Sequence, residues 1–366
     1  MSAKQPILYG GRLSYFTGKA RSYLNYRQVA FEEKLATPEI YKTIIMPAVG
    51  YPMIPVVVFP DGQVIQDTTE LIDHFEQDAG ALSVIPTTAR QHFVSAMMEL
   101  YGDEWLVIPA MHYRWAHNRD YAFGEFGKLM LPDASPEEQY KAGEKAAQKF
   151  EGSVPFLGAN ADMADAVEAS YVAGLKELDA HFQQHDFLLG AKPCAGDFGL
   201  IGPLYAHLYR DPASGEVMKR EAPAVARWVE RMIAEPFKAS GDWLADDAIA
   251  PTLIPVLQRQ MREQGPCLID IFDKVAVHKA NSDAGKIPRA LGMHAFTMEG
   301  KTGQRVVLSY TQWMAQRALL PAMQRTGAER AALDQLATDI GASQLLDAGI
   351  SAPIDRRNHK LVWRAA

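Results

Sequence analysis

Asp67-Thr68-Thr69-Glu70 is the stretch of this chain best equipped to hold a charged small molecule. An acceptor side chain followed three residues later by Glu has the form of a capping box, so a helix opens here. A helix start carries unpaired N–H groups and the positive end of its dipole, which suits a carboxylate, while Asp67 can pair with an ammonium group. Gln66 adds a side-chain amide beside the pair. A second stretch, Met53-Ile54-Pro55, sets a proline directly before an apolar run. A third, Arg12-Leu13-Ser14-Tyr15-Phe16-Thr17, gathers three hydroxyls in one loop. Taken singly, each has a plain structural meaning: a helix cap, a proline opening a strand, a turn or N-cap residue.

The elements that must position them can be read from the same eighty-odd residues. Ile7-Leu8-Tyr9 is a short apolar strand ended by Gly10-Gly11. From Thr17 the pattern is helical, with Ala20, Tyr23 and Leu24 on one face, and Ala30 to Leu35 reads as a half-exposed strand. Strand, helix and strand at this spacing make a βαβ unit with parallel strands. Val56-Val57-Val58-Phe59, a Pro60-Asp61-Gly62 turn and Val64-Ile65 make a hairpin, and the helix after it buries Leu71, Ile72 and Phe75. The order is βαβ, then ββα.

This order, with its proline, strand, turn, strand and cap, resembles the thioredoxin-like domain of the cytosolic-type glutathione S-transferase superfamily. The resemblance implies an α/β plus α fold: a thioredoxin-like glutathione-binding domain over 1–85, an all-helical substrate domain over 90–250, and a C-terminal extension over 251–366. That extension reads as mainly helical with one hairpin. In that family the proline matching Pro55 has a cis peptide bond, and the residue matching Ile54 offers its N–H and C=O to the cysteinyl part of glutathione. Gln66, Asp67 and Thr68 match the positions that grip the γ-glutamyl end. One hydroxyl at the start of the first helix would hydrogen-bond the thiolate, lowering a thiol pKa that otherwise lies near ~8.5. Ser14, at the family's offset before Arg21, ranks first for that role, Tyr15 second and Thr17 third. No cysteine precedes Cys194, so thiol–disulfide exchange through a protein cysteine is disfavoured.

The activity implied is transfer of the glutathione thiolate to a hydrophobic, aromatic electrophile, as in detoxification, by a homodimer with glutathione as co-substrate and no metal. Two alternatives stay open: a glutathione-dependent lyase or β-etherase of the same fold, and a noncatalytic binding or scaffolding protein. In the helical stretch from about Arg90, Tyr101, Trp105 and His112 are the candidates for walling the electrophile pocket. Phe187 to Asp197 resembles the run into the family's buried central helix, but Cys194 stands where a hydroxyl cap is usual, a loss of ~1 kcal/mol if nothing replaces it.

Beyond about Ala250 no motif places the chain. Helices are expected over Leu253 to Glu263, Ile269 to Ala280, Thr311 to Met323 and Glu329 to Ile340. A hairpin is expected from His294 to Tyr310, turning at Gly300-Lys301-Thr302-Gly303, and the tail reads as irregular. Within it, Asp355-Arg356-Arg357-Asn358-His359-Lys360 reads as a solvated patch.

Bulk properties narrow the classes. The 366 residues are 48% apolar and 22% charged, which fits a globular chain of more than one domain. A net charge of -7 gives no electrostatic reason for a nucleic-acid or anionic-membrane partner. Two cysteines make no disulfide framework, and neither a signal peptide nor a run of roughly 20 apolar residues is visible, so the expected location is cytoplasmic.

Overall fold

The computed structural model describes residues 5–239, 241–281 and 285–364. The N-terminal unit runs β1 (Ile7–Gly10), α1 (Tyr15–Tyr26), β2 (Glu32–Leu35), the short helices α2 (Pro38–Ile40) and α3 (Met46–Val49), β3 (Val56–Val58), β4 (Val64–Gln66) and α4 (Thr68–Glu76). Its sheet has the order β2-β1-β3-β4, with β1 and β2 parallel and the other neighbours antiparallel. Alternate residues of the strands serve two small cores. Leu8, Val57 and Ile65 meet Ala20 and Leu24 of α1 and Leu71 of α4 on one face, while Tyr9 and Val56 meet Ile45 and Val49 on the other. This is a thioredoxin-like sheet, and it delivers the starts of α1 and α4 to one end of the domain.

The helical domain follows: α5 (Ala89–Glu104), α6 (Val107–His117), α7 (Arg119–Met130), α8 (Pro136–Glu151), α9 (Ala164–Phe182), α10 (Ala195–Ala206), α11 (Pro212–Glu221) and α12 (Pro223–Met232). Eleven of α10's twelve residues are buried. It crosses α5 at main-chain distance: a Cβ on Gly102 would lie 2.3 Å from the carbonyl carbon of Gly199, so only glycine fits. The cap that Cys194 was expected to weaken is a reciprocal box, the Cys194 side chain accepting the Asp197 N–H and Asp197 answering it. The Asp197 carboxylate accepts the Cys194 N–H at 2.9 Å, the Leu188 N–H at 3.1 Å and the Trp228 indole N–H at 3.2 Å.

The last third comprises α13 (Ile254–Glu263), α14 (Gly265–Asn281), β5 (Ala290–Met298), β6 (Lys301–Leu308), α15 (Ser309–Met323), α16 (Gly327–Ile340), α17 (Ser343–Ala348), β7 (Ile354–Arg357) and β8 (Lys360–Trp363). Two expectations are corrected here. The β5–β6 turn is the two-residue Glu299-Gly300, both at positive φ, with Met298 opposite Lys301, so Lys301 to Gly303 belong to the strand. The tail is not irregular: α17 and the β7–β8 hairpin occupy it. Nor is this third a tethered appendage. Leu257, Leu268, Met314, Leu319, Leu333 and Ile354 belong to the same continuous buried cluster as Phe93, Met97 and Phe198. Among the described residues, no helix is long and apolar enough to cross a membrane.

His181, near the end of α9, ties the helical domain to this third. Its ring nitrogens meet the Thr252 hydroxyl at 2.9 Å and the Phe187 carbonyl at 3.3 Å, which fits a neutral imidazole donating to the carbonyl and accepting from the hydroxyl. Burial, with the neighbouring His185, lowers its pKa from the ordinary 6.5 to about 4. The unfolded chain therefore takes up a proton on His181 that the fold refuses. The stability this site contributes is complete above pH 6.5 and is lost as pH falls toward 4, by on the order of 3 kcal/mol. Urea titrations across that window should show a shallower loss in His181→Gln than in the wild type.

Candidate functional site

Ser14 is the N-cap of α1, its Oγ accepting the Thr17 N–H at 3.2 Å, and it is half-buried. That bond uses a lone pair and leaves the hydroxyl proton free to donate elsewhere. Tyr15 turns inward, where its hydroxyl donates to the Gly102 carbonyl and burial, followed by the Asp103 and Glu104 charges, raises its pKa well above the ordinary value. Thr17 is fully buried, and its Oγ1 accepts the Gly11 N–H at 3.4 Å. Of the three candidate hydroxyls, only Ser14 keeps exposed surface, Tyr15 and Thr17 being buried.

The Ile54–Pro55 bond is cis. Pro55 is buried and Ile54 half-buried. Among the described residues, neither the N–H nor the C=O of Ile54 is taken by another group of the chain.

The start of α4 has Asp67 as its N-cap, as the sequence suggests, and is then covered. The Glu70 half of the expected capping box is not made, its carboxylate pairing with Arg356 instead. Asp67 has φ +110°, a conformation that costs a non-glycine residue of order 1–3 kcal/mol and that its surroundings must hold. Its Oδ1 accepts the N–H groups of Thr69 at 2.8 Å and Glu70 at 3.3 Å, so two of the helix-start donors are used by Asp67 itself. Its Oδ2 accepts the Tyr310 hydroxyl of α15 at 2.5 Å. Thr68 is only 4% exposed.

Gln66 is equally engaged. Its side-chain oxygen accepts Tyr51 at 2.6 Å and Arg356 at 2.5 Å, and its main-chain carbonyl accepts Arg356 at 2.9 Å. Arg356 also pairs with Glu70. Arg356, expected on a solvated patch, is therefore corrected to a largely buried anchor of α4. Burial pushes the Tyr310 phenol well above its ordinary pKa, with Asp67 adding to the effect, so it stays a neutral donor. Beside these contacts opens a polar cleft of about 330 Å³, lined by Glu70, Asp73, Arg317, Asp355, Arg356 and Arg364 among others.

Beneath the start of α4 lies a buried charge cluster. Lys19 of α1 reaches Glu99 at 2.8 Å and Asp103 at 2.6 Å, both on α5, and Thr69 donates to Glu99 at 2.9 Å. Burial raises the Asp103 carboxyl well above its usual range. Glu99, though buried, is held low by the Lys19 ammonium.

The three residues expected to wall an electrophile pocket are all buried but do not share one space. Tyr101 and Trp105 line a cavity of about 20 Å³ with Tyr171, Arg259 and Met298, room for about one water. Trp105 is held by the last third of the chain: its N–H donates to Glu263 at 3.1 Å and the Arg305 guanidinium sits 4.8 Å over its ring. His112 lies elsewhere, 2.9 Å from Glu168.

Residues 8–83 match the N-terminal domain of glutathione S-transferases and residues 132–236 match their C-terminal domain. The chain belongs to the glutathione S-transferase superfamily. No curated protein matches it in sequence. Among solved structures, the β-etherase LigF from Sphingobium sp. strain SYK-6 is similar at 16% identity and a TM-score of 0.47, covering 64% of this chain and 99% of its own. A GST-like protein from Pseudomonas syringae gives 20% and 0.42, covering 68% and 79%. FzlA from C. crescentus gives 15% and 0.39, covering 68% and 97%. Likeness at this level speaks to the fold and not to activity or substrate.

Tyr51, Tyr310 and Arg356 are the site residues that the sequence reading passed over. For Arg356 a signal existed. Ile354 to Arg357 and Lys360 to Trp363 are two short runs around Asn358-His359, and that pair adopts positive φ in a two-residue turn.

Proposed function

We propose that this glutathione S-transferase superfamily member works as a binding or scaffolding protein whose tripeptide site is closed by its own C-terminal third. The observation that carries the reading is the Tyr310 hydroxyl on Asp67. The same carboxylate and the same helix start would have to receive the ammonium and carboxylate of the γ-glutamyl end. Arg356 adds to the closure by taking both oxygens of Gln66. A tethered phenol and guanidinium compete at high effective concentration against a free ligand. The cavity of about 20 Å³ beside Trp105 supports the same reading for the expected electrophile position, since pockets for organic ligands run to roughly 300–1,000 Å³. The larger cleft described above is lined mostly by charged side chains.

The test is isothermal titration of the full-length protein with glutathione, joined to a thiol-consumption assay over a panel of aromatic electrophiles. The expected result is no saturable heat up to millimolar glutathione and no turnover. Micromolar binding by the wild type would sink the proposal.

A second reading is the thiolate transfer itself, with glutathione as co-substrate, a hydrophobic aromatic electrophile, a homodimer and a role in detoxification. It is favoured by Ser14, whose hydroxyl proton remains free to donate, and by the unengaged N–H and C=O of Ile54. It requires Tyr310 and Arg356 to withdraw. Ether cleavage by a lyase of this fold carries the same requirement. Under this reading the wild type turns over and Ser14→Ala loses about 100-fold or more in rate. Light scattering tests the pairing of two copies, and fractionation tests a cytoplasmic location.

A further inference from the structure

Between α6 and α9, three donors converge on one point. The imidazole Nε2 of His112 lies 2.9 Å from Glu168 Oε1, and the Nε2 of His117 lies 2.7 Å from the same oxygen. The two histidines come from α6 and the glutamate from α9, and one ligand atom from each lies within 4.8 Å of the others. His112 is buried, while the side chains of His117 and Glu168 are 41% and 38% exposed, so the cluster has a firm floor and an open mouth. The Tyr113 ring packs against both imidazoles, at 5.6 and 5.3 Å, and against Tyr171 at 5.0 Å, fixing their planes.

A carboxylate oxygen has lone pairs for both imidazoles. Yet His117 is exposed, with water available, and its nitrogen still turns to the oxygen that the buried His112 meets, which brings three donors to one point. We propose that His112, His117 and Glu168 bind a divalent transition-metal ion, zinc being the first candidate, and that the ion clips α6 to α9. Two imidazoles and one carboxylate form a borderline-soft donor set, suited to zinc, cobalt, nickel or copper and poorly suited to calcium or magnesium. Metal–ligand bonds of about 2.0–2.2 Å in a tetrahedral shell put donor atoms roughly 3.3 Å apart. Glu168 therefore swings back by about half an ångström, and the two imidazole nitrogens, now within 4.8 Å of each other, take up the same spacing, the exposed His117 and Glu168 moving by rotation about their side-chain bonds. His117 is also the last residue of α6, where unpaired carbonyls give the helix its negative end and favour a cation. Three protein donors leave a fourth position for water.

The test uses the full-length protein, stripped with chelator, titrated with zinc chloride by calorimetry and with cobalt chloride by visible absorption. The expected result is one saturable equivalent, with a cobalt spectrum of low coordination number and a rise in Tm on zinc addition. His117→Ala and Glu168→Gln, both at exposed positions, should fold with the metal-free Tm of the wild type and bind at least about tenfold more weakly. No saturable uptake, or uptake unchanged in both variants, overturns the proposal.

Discussion

Replacing Lys19 with methionine should remove about 3–5 kcal/mol of stability, read as a fall in the urea midpoint at unchanged slope. Lys19 has no exposed surface, and its ammonium is the cation paired with Glu99 and Asp103 inside the junction of α1, α4 and α5. With burial raising Asp103 well above the usual carboxylate range, that residue can hold a proton, while Glu99 depends on Lys19 to stay ionised. Methionine matches much of the lysine stem, so the loss is chiefly that of an uncompensated charge rather than of volume. The check is a double variant. Lys19→Met with Glu99→Gln should recover a substantial part of the loss, because the glutamine amide still meets the Thr69 hydroxyl and carries no charge. Equal losses in the single and double variants would show that the stem, not the charge, matters.

Arg114→Met should cost a similar ~3–5 kcal/mol. Arg114 of α6 is 2% exposed and grips Asp211 with two parallel bonds of 2.7 and 2.8 Å. It also donates to the carbonyls of Leu13 at 3.2 Å and Ala206 at 2.6 Å. His207, whose pKa burial and then Arg114 push well below the ordinary value, accepts a further bond at 2.8 Å. Lysine cannot reproduce this planar fork, so Arg114→Lys should restore only a minor part of the stability. Because Leu13 directly precedes Ser14, the substitution should also loosen the first turn of α1. Hydrogen exchange at the Thr17 and Gly18 amides reports that change directly.

What could be read from the sequence was local. The β-branched run Val56-Val57-Val58, the Asp61-Gly62 turn and the Asp67 cap each sit within a few residues of what they specify, and the sheet formed accordingly. Long-range pairing was not readable. Arg356 lies among charges of both signs, and nothing near it reveals that its partners, Gln66 and Glu70, stand 290 and 286 residues earlier. Tyr310 ends a strand-like run and gives no hint of Asp67. The β5–β6 turn was misplaced because two glycines bracket Lys301-Thr302. The turn used the first of them together with Glu299, a residue seldom found at positive φ. Cys194 lacks the usual hydroxyl, yet its thiol and the Asp197 carboxylate complete a reciprocal capping box, a pairing that a search for Ser or Thr does not reveal.

The closure of α4 by Tyr310 and Arg356 has a consequence during synthesis. The N-terminal sheet leaves the ribosome more than two hundred residues before those two side chains are made, and domains fold as they emerge. A nascent chain at that stage presents an uncovered Asp67 and Gln66, so the half-made protein is open where the finished one is shut. Stalled nascent chains that end before Tyr310 should therefore expose Asp67 and Gln66 to solvent probes that the finished protein excludes.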